Sequence, residues 1–111
     1  PGTRHRHYAP RARVILIQKN DLETFVQELN ILKSEGNSVG SITYSKDLND
    51  IEVTKFHFIL SSSVEQYAQN IFKALRELDS FGVDCMLVES VEEHGIGAAV
   101  MDRLGKASEK I

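Results

Sequence analysis

Apolar residues recur along this chain in two rhythms. Val14-Ile15-Leu16-Ile17, behind Arg13, is a short unbroken apolar run rich in β-branched side chains. It predicts a strand buried on both faces, as in a parallel sheet. Leu22, Phe25, Val26, Leu29 and Leu32 then follow helical spacing, with one face for a core. Glu23 stands three residues after Asn20, the spacing of a capping box, so this helix is expected to begin at Asn20 or Asp21. Gly36 supplies the left-handed residue that ends it. Residues 38–44 alternate and predict a second strand, in which Gly40 admits a close approach of another chain segment.

A polar, turn-like stretch follows at 45–50, and residues 52–60 read as a third strand whose second half is apolar except for His57. That His reads as a hydrogen-bonded strand residue rather than a ligand. Ser61-Ser62-Ser63 offers helix caps, with Glu65 in the first turn where the helix dipole favours an anion. Val64, Tyr67, Ala68, Ile71, Leu75 and Leu78 then form a helical face, with Phe72 beside it, closed by Gly82. Residues 83–88 are a fourth strand and 89–94 an acidic loop. Ile96, Ala99, Val100 and Leu104 mark a last helix, with Met101 and Ala107 near its stripe.

Helices alternating with buried strands predict an α/β fold, a three-layer α/β/α sandwich around a mostly parallel sheet of about four strands. Crossovers should be right-handed. The connection at 45–50 lacks a clear helix, so the second and third strands could pair antiparallel there, or an irregular turn could stand in for the helix.

Composition changes little in this picture. With 111 residues, 41% of them hydrophobic and 26% charged, the chain makes one domain with a modest core. No apolar run approaches the ~20 residues that span a bilayer, and the basic N-terminus has no apolar segment behind it as a secretory signal would. Membrane insertion is therefore not expected, and the lone Cys85 fits the reducing cytoplasm as a buried structural thiol.

Charge changes it more. Residues 1–13 hold Arg4, Arg6, Arg11 and Arg13 and no acid; the other nine Lys and Arg face sixteen acids, a net of −7 on the body. A basic arm bracketed by Pro1 and Pro10, with His5, His7 and Tyr8 interleaved, runs extended and suits anionic partners. Its guanidinium groups can meet phosphates and its phenol can stack or hydrogen-bond in a nucleotide pocket. One aromatic ahead of an acidic body is a weak RNA-binding signal, and direct nucleic-acid binding is not expected.

No catalytic constellation emerges. Gly95-Ile96-Gly97 precedes a helix, but a dinucleotide fingerprint needs a third glycine where Val100 stands, and it follows the first strand of its unit, not the last. A flexible helix start is the expected role, since Glu89, Glu92 and Glu93 would repel an anion there. His5 and His7 alone fall short of the three or four ligands a metal wants. The three serines lack a nucleophile elbow. No catalytic and no metal-binding residue is assigned.

Two end motifs bring a family into view. Pro1-Gly2-Thr3-Arg4-His5-Arg6-His7-Tyr8-Ala9-Pro10 resembles the interdomain linker of two-domain threonylcarbamoyl-AMP synthases, which usually reads Pro-Gly-Met-Lys-Tyr-x-His-Tyr-Ala-Pro. Residues 93–104, from Glu93 through Gly95-Ile96-Gly97 to Met101-Asp102-Arg103-Leu104, resemble the closing helix of that family's C-terminal domain. Thr3, Arg4 and His5 replace the usual Met, Lys and Tyr; Arg keeps the positive charge with a different geometry.

The resemblance implies a linker arm at 1–12 and a Rossmann-like C-terminal domain at 13–111, with a YrdC-like catalytic domain upstream as partner. The family condenses threonine, bicarbonate and ATP (with Mg) to threonylcarbamoyl-AMP and pyrophosphate, as a nucleotidyltransferase serving tRNA threonylcarbamoyladenosine modification. His7, Tyr8 and Arg6 would contact nucleotide in the full enzyme, and this segment by itself is expected to be inactive and to hold no cofactor. The other reading left open by the residues is a stand-alone nucleotide-sensing or RNA-binding adaptor.

Overall fold

The computed structural model describes residues 10–49, 56–60, 63–106 and 108–110. The predicted arm residues Arg6, His7 and Tyr8, the first half of the predicted third strand, Ser61, Ser62 and Ala107 lie outside them. The elements run β1 (Arg13–Ile17), α1 (Leu22–Ser34), β2 (Val39–Thr43), α2 (Lys46–Asn49), β3 (Phe56–Ile59), α3 (Val64–Ser80), β4 (Cys85–Glu89), α4 (Ile96–Lys106) and β5 (Glu109–Lys110).

The strands form one sheet in the order β3-β2-β4-β1-β5, and every pairing is parallel. The open question at residues 45–50 is thereby answered. β2 and β3 pair parallel, with Gly40 beside Phe56 and Thr43 beside Ile59, and the single turn of α2 stands in their connection. Strand β5 pairs Glu109 with Ile15 and Lys110 with Leu16; its two polar residues carry no hydrophobic pattern from which to predict it.

Two apolar layers cover the sheet, as period-two strand geometry requires. Ile15, Ile17, Val39, Cys85 and Leu87 meet Phe25, Leu29 and Leu32 of α1 and Leu48 of α2. Val14, Leu16, Ile42, Met86 and Val88 meet Tyr67, Ile71, Leu75 and Leu78 of α3 and Val100, Met101 and Leu104 of α4. The two steps towards β3 pass over one face and the two steps back pass over the other. That is what a single crossover hand demands.

Local chemistry sets the helix ends. Asp21, not Asn20, caps α1, its carboxylate accepting the Thr24 N–H at 3.0 Å. The capping box expected from Asn20 does not form, because Asn20 takes a positive φ of 58° and donates its N–H elsewhere. At the other end Gly36 has φ 86°. Its N–H reaches Lys33 O while Asn37 N–H reaches Leu32 O, the paired bonds of a Schellman motif. Gly40 meets its expected close approach in Leu78: an added Cβ would stand 3.0 Å from a Leu78 methyl.

The stripe of α4 is rotated from the expected one. Gly97, Val100, Met101 and Leu104 are buried, whereas Ile96 is 49% exposed and Ala99 faces solvent. Arg103 reaches back across the two outer helices, its guanidinium 4.3 Å from the Phe72 ring centre. No described helix is long and apolar enough to cross a membrane.

Candidate functional site

In parallel sheets of this kind ligands sit outside the carboxyl ends of the strands. Here the ends of β1, β2 and β4 are closed by the chain's own groups. Glu89, the last residue of β4, has no exposed surface. One carboxylate oxygen accepts the N–H groups of Tyr44 and Ser45 at 2.8 and 3.0 Å. The other accepts the Asn20 N–H at 2.8 Å and the Ser45 hydroxyl. A buried carboxylate is tolerable only when its lone pairs are filled in this way. The positive φ of Asn20 is what turns its amide towards Glu89. The acid expected to repel an anion from this loop is thus a clasp joining the turns after β1, β2 and β4.

Two tyrosines complete the closure. Tyr44 donates to Ser90 O at 2.7 Å and Tyr67 to Glu89 O at 2.8 Å, and their rings meet edge to face with centres 5.4 Å apart. Burial pushes both phenols well above their ordinary pKa. Tyr44 and Glu89 add to the shift at Tyr67, and Glu89 and Glu92 add to it at Tyr44. Neither hydroxyl is a ready proton source. Outside this lid, Glu92 bonds Lys19 at 3.0 Å and His94 at 2.6 Å, and these bonds hold its carboxyl below the usual range.

Gly97 explains the glycine pair ahead of α4. A Cβ there would collide with the Glu92 carbonyl oxygen. The motif serves a tight helix start against the preceding loop, not the flexible one expected. His57 is a hydrogen-bonded strand residue, its Nε2 2.8 Å from Thr43 Oγ1, and partial burial lowers its pKa. It borders an open cleft of about 490 Å³ between β3 and α3, where Lys73 and Glu77 also lie. Among the described residues no three His, Cys, Asp or Glu side chains converge to hold a metal ion, and Cys85 is buried.

The opposite end of the sheet holds the residues that lead into β1. Asp79, in the last turn of α3, accepts the Arg11 N–H through Oδ2 at 3.1 Å and the Ala12 N–H through Oδ1 at 3.0 Å. Arg13 N–H continues the series to Asp84 O at 3.0 Å. Asp84 in turn accepts the Ser38 N–H at 2.8 Å, so the starts of β1, β2 and β4 are tied together. Sequence reasoning overlooked both Glu89 and Asp79. The available signals were an acid continuing a wholly apolar strand, and an acid at the helix end where the dipole disfavours one.

Comparison with known proteins places this geometry. A family model described as threonylcarbamoyl-AMP synthase, C-terminal domain, matches residues 1–109. A threonylcarbamoyl-AMP synthase of Pyrococcus abyssi is 45% identical over 97% of this chain, which covers 31% of that protein. The crystal structure of P. abyssi Sua5 complexed with L-threonine superposes with a TM-score of 0.76 at 42% identity, covering 96% of this chain and 32% of that one. A P. abyssi Sua5 structure with a consecutive histidine and tyrosine both changed to alanine gives 0.75 at 38% identity, covering 92% and 30%. The C-terminal Sua5 domain of Pyrococcus horikoshii, solved by itself, gives 0.69 at 37% identity, covering 93% and 98%. The present chain therefore spans about three-tenths of the longer relatives.

Proposed function

Because the chain belongs to the family of threonylcarbamoyl-AMP synthase C-terminal domains, we propose that it is the non-catalytic closing domain of such an enzyme. An upstream catalytic domain would condense threonine, bicarbonate and ATP, the last with Mg, to threonylcarbamoyl-AMP and pyrophosphate in the cytoplasm, for tRNA modification. Residues 1–12 serve as the interdomain arm, and His7, Tyr8 and Arg6 contact the nucleotide from it. The observation that carries this reading is the family match, which runs from the arm through the body yet accounts for only three-tenths of the relatives. The body adds support from chemistry. The ends of β1, β2 and β4 are filled by Glu89, Tyr44 and Tyr67, so the body's main contribution is to hold the arm.

The basic arm supplies what a triphosphate needs. Arg6 offers a planar fork of donors to phosphate oxygens, and Tyr8 offers an aromatic face and a hydroxyl. His7-Tyr8 is also a consecutive pair of the kind replaced in one solved relative.

In the intact enzyme, Tyr8→Ala should raise the KM for ATP about tenfold, the loss of one good polar or stacking contact, while leaving the thermal midpoint of this domain within about 2 °C. An unchanged KM would remove the arm from the pocket. Pyrophosphate release by this chain alone, dependent on threonine and bicarbonate, would overturn the non-catalytic assignment.

A further inference from the structure

The two edges of the sheet are built differently. β5 is two residues long, Glu109 and Lys110, and shortness is one way in which proteins blunt an edge. β3 reads Phe56-His57-Phe58-Ile59, with no proline or lysine and an unbroken register against β2. Ile59 is 60% exposed, and Phe81, half exposed, stacks on Phe56 with ring centres 4.7 Å apart. Among the described residues no strand pairs with the outer side of β3.

The open cleft of about 490 Å³ runs along that outer side. Its lining includes four consecutive residues, His57, Phe58, Ile59 and Leu60. A cleft over one face of a strand meets every second residue, so this one follows the backbone edge. Leu60 N–H bonds Thr43 O, which turns the backbone groups of Leu60 and Phe58 towards β2. Those of His57 and Ile59 alternate with them and point outward. The other wall is α3, whose exposed stripe presents Asn70, Lys73 and Glu77. Asn70 is tied to Gln66 O. Lys73 and Glu77 lie one turn apart, and among the described residues neither forms an ion pair.

We propose that this slot is a strand-addition site: an extended peptide pairs with the outer edge of β3 through the His57 and Ile59 backbone and sets an acid against Lys73 and, two residues away, a base against Glu77. Backbone groups on one wall are met best by backbone groups in return, as in other peptide-binding sheet edges. The charges on the other wall have the spacing of a strand. Four helical residues advance about 6 Å, and side chains on one face of a strand repeat at about 6–7 Å. A second copy of the chain fits less well, because the β3 it would insert has no acid to offer Lys73.

The experiment selects random octapeptides displayed on phage against the full 111-residue chain. The variants are Lys73→Glu, Glu77→Lys, the double exchange, and Arg76→Glu, which is exposed on α3 outside the cleft. Selected peptides should be rich in β-branched residues and carry an acid and a base two positions apart. One of them, synthesised, should slow amide exchange at His57 and Ile59 about tenfold or more. Its Kd should rise about tenfold in each single variant and stay unchanged in Arg76→Glu. Binding should return in the double exchange when the two charges of the peptide are exchanged as well. An empty selection, peptides without the charge pair, or a Kd indifferent to both single variants overturns the proposal. Binding without protection at His57 and Ile59 overturns strand addition. A dimer of the chain that the peptide dissociates assigns the edge to a second copy. Loss of peptide binding in the intact enzyme assigns it to the upstream domain. Either result also overturns the proposal.

Discussion

Glu89 carries more of the architecture than any other polar side chain described. It gathers four donors from two separate turns, all at the closed end of the sheet. Glu89→Gln is nearly isosteric, yet it must point an NH₂ group where one carboxylate oxygen was. At the Oε1 position that group faces the Tyr44 and Ser45 amides. At the Oε2 position the Ser45 hydroxyl can turn to accept, but the Asn20 amide still meets another donor. Either way a buried N–H loses its acceptor. The variant should lose about 2–4 kcal/mol of stability, measured by urea denaturation of this chain. A loss under 0.5 kcal/mol would show that the turns hold without the clasp.

At the scale of elements, α4 is the test of what a glycine motif means. Gly95 and Gly97 differ in the reason each must be glycine. Gly95 has φ 60° with nothing near its missing Cβ, while Gly97 is crowded by the backbone oxygen of Glu92. Gly95→Ala pays only the left-handed backbone penalty of about 1–2 kcal/mol. Gly97→Ala must displace the loop ahead of the helix, and about 2–4 kcal/mol is expected. Denaturation midpoints of the two variants check the order, and a Gly97→Ala no less stable than Gly95→Ala would refute the packing account.

Most elements were legible because their signal is local. The unbroken run Val14–Ile17 and the stripe of α3 repeat their own period, and Gly36 and Gly82 stand where helices stop. What was not legible depends on partners distant in sequence. The stripe of α4 is turned because Gly97, not Ile96, presses against the Glu92 backbone, and no periodicity distinguishes a buried glycine from an exposed one. β5 is defined only by the edge of β1 that accepts it. The cap passed from Asn20 to Asp21 because Glu89, at the far end of another strand, claims the Asn20 amide. The same holds for Asp79: from the sequence it looks like one more charge on a solvated helix, and only the fold brings it to the Arg11 and Ala12 amides.

On the scale of the whole molecule, the two ends of the sheet have different duties. At one end Glu89, Tyr44 and Tyr67 close over β1, β2 and β4; at the other Asp79 and Asp84 gather the starts of the same strands and the Arg11 and Ala12 amides. A domain built this way should have little affinity of its own for the nucleotide its arm would touch. Millimolar ATP with Mg should shift the thermal midpoint of this chain by less than about 1 °C, while raising that of the intact enzyme by several degrees through binding linkage. A comparable shift in the isolated chain would place a nucleotide site within the body. The cleft between β3 and α3 would then be the first place to mutate, beginning with Lys73.

The position of β1 has a bearing on synthesis. Of the described strands it is the first to be synthesised, yet it lies inside the sheet, between β4 and β5. Both neighbours come from the last quarter of the chain. Until Cys85–Glu89 has emerged, the run Val14–Ile17 has neither of its native edges covered, and such bare apolar strands invite association with other chains. At ordinary translation rates of ~5–20 residues per second the exposure lasts several seconds. Nascent chains stalled before residue 85 should therefore be the aggregation-prone species, and the acidic body and the charged arm flanking that strand are its protection while it waits.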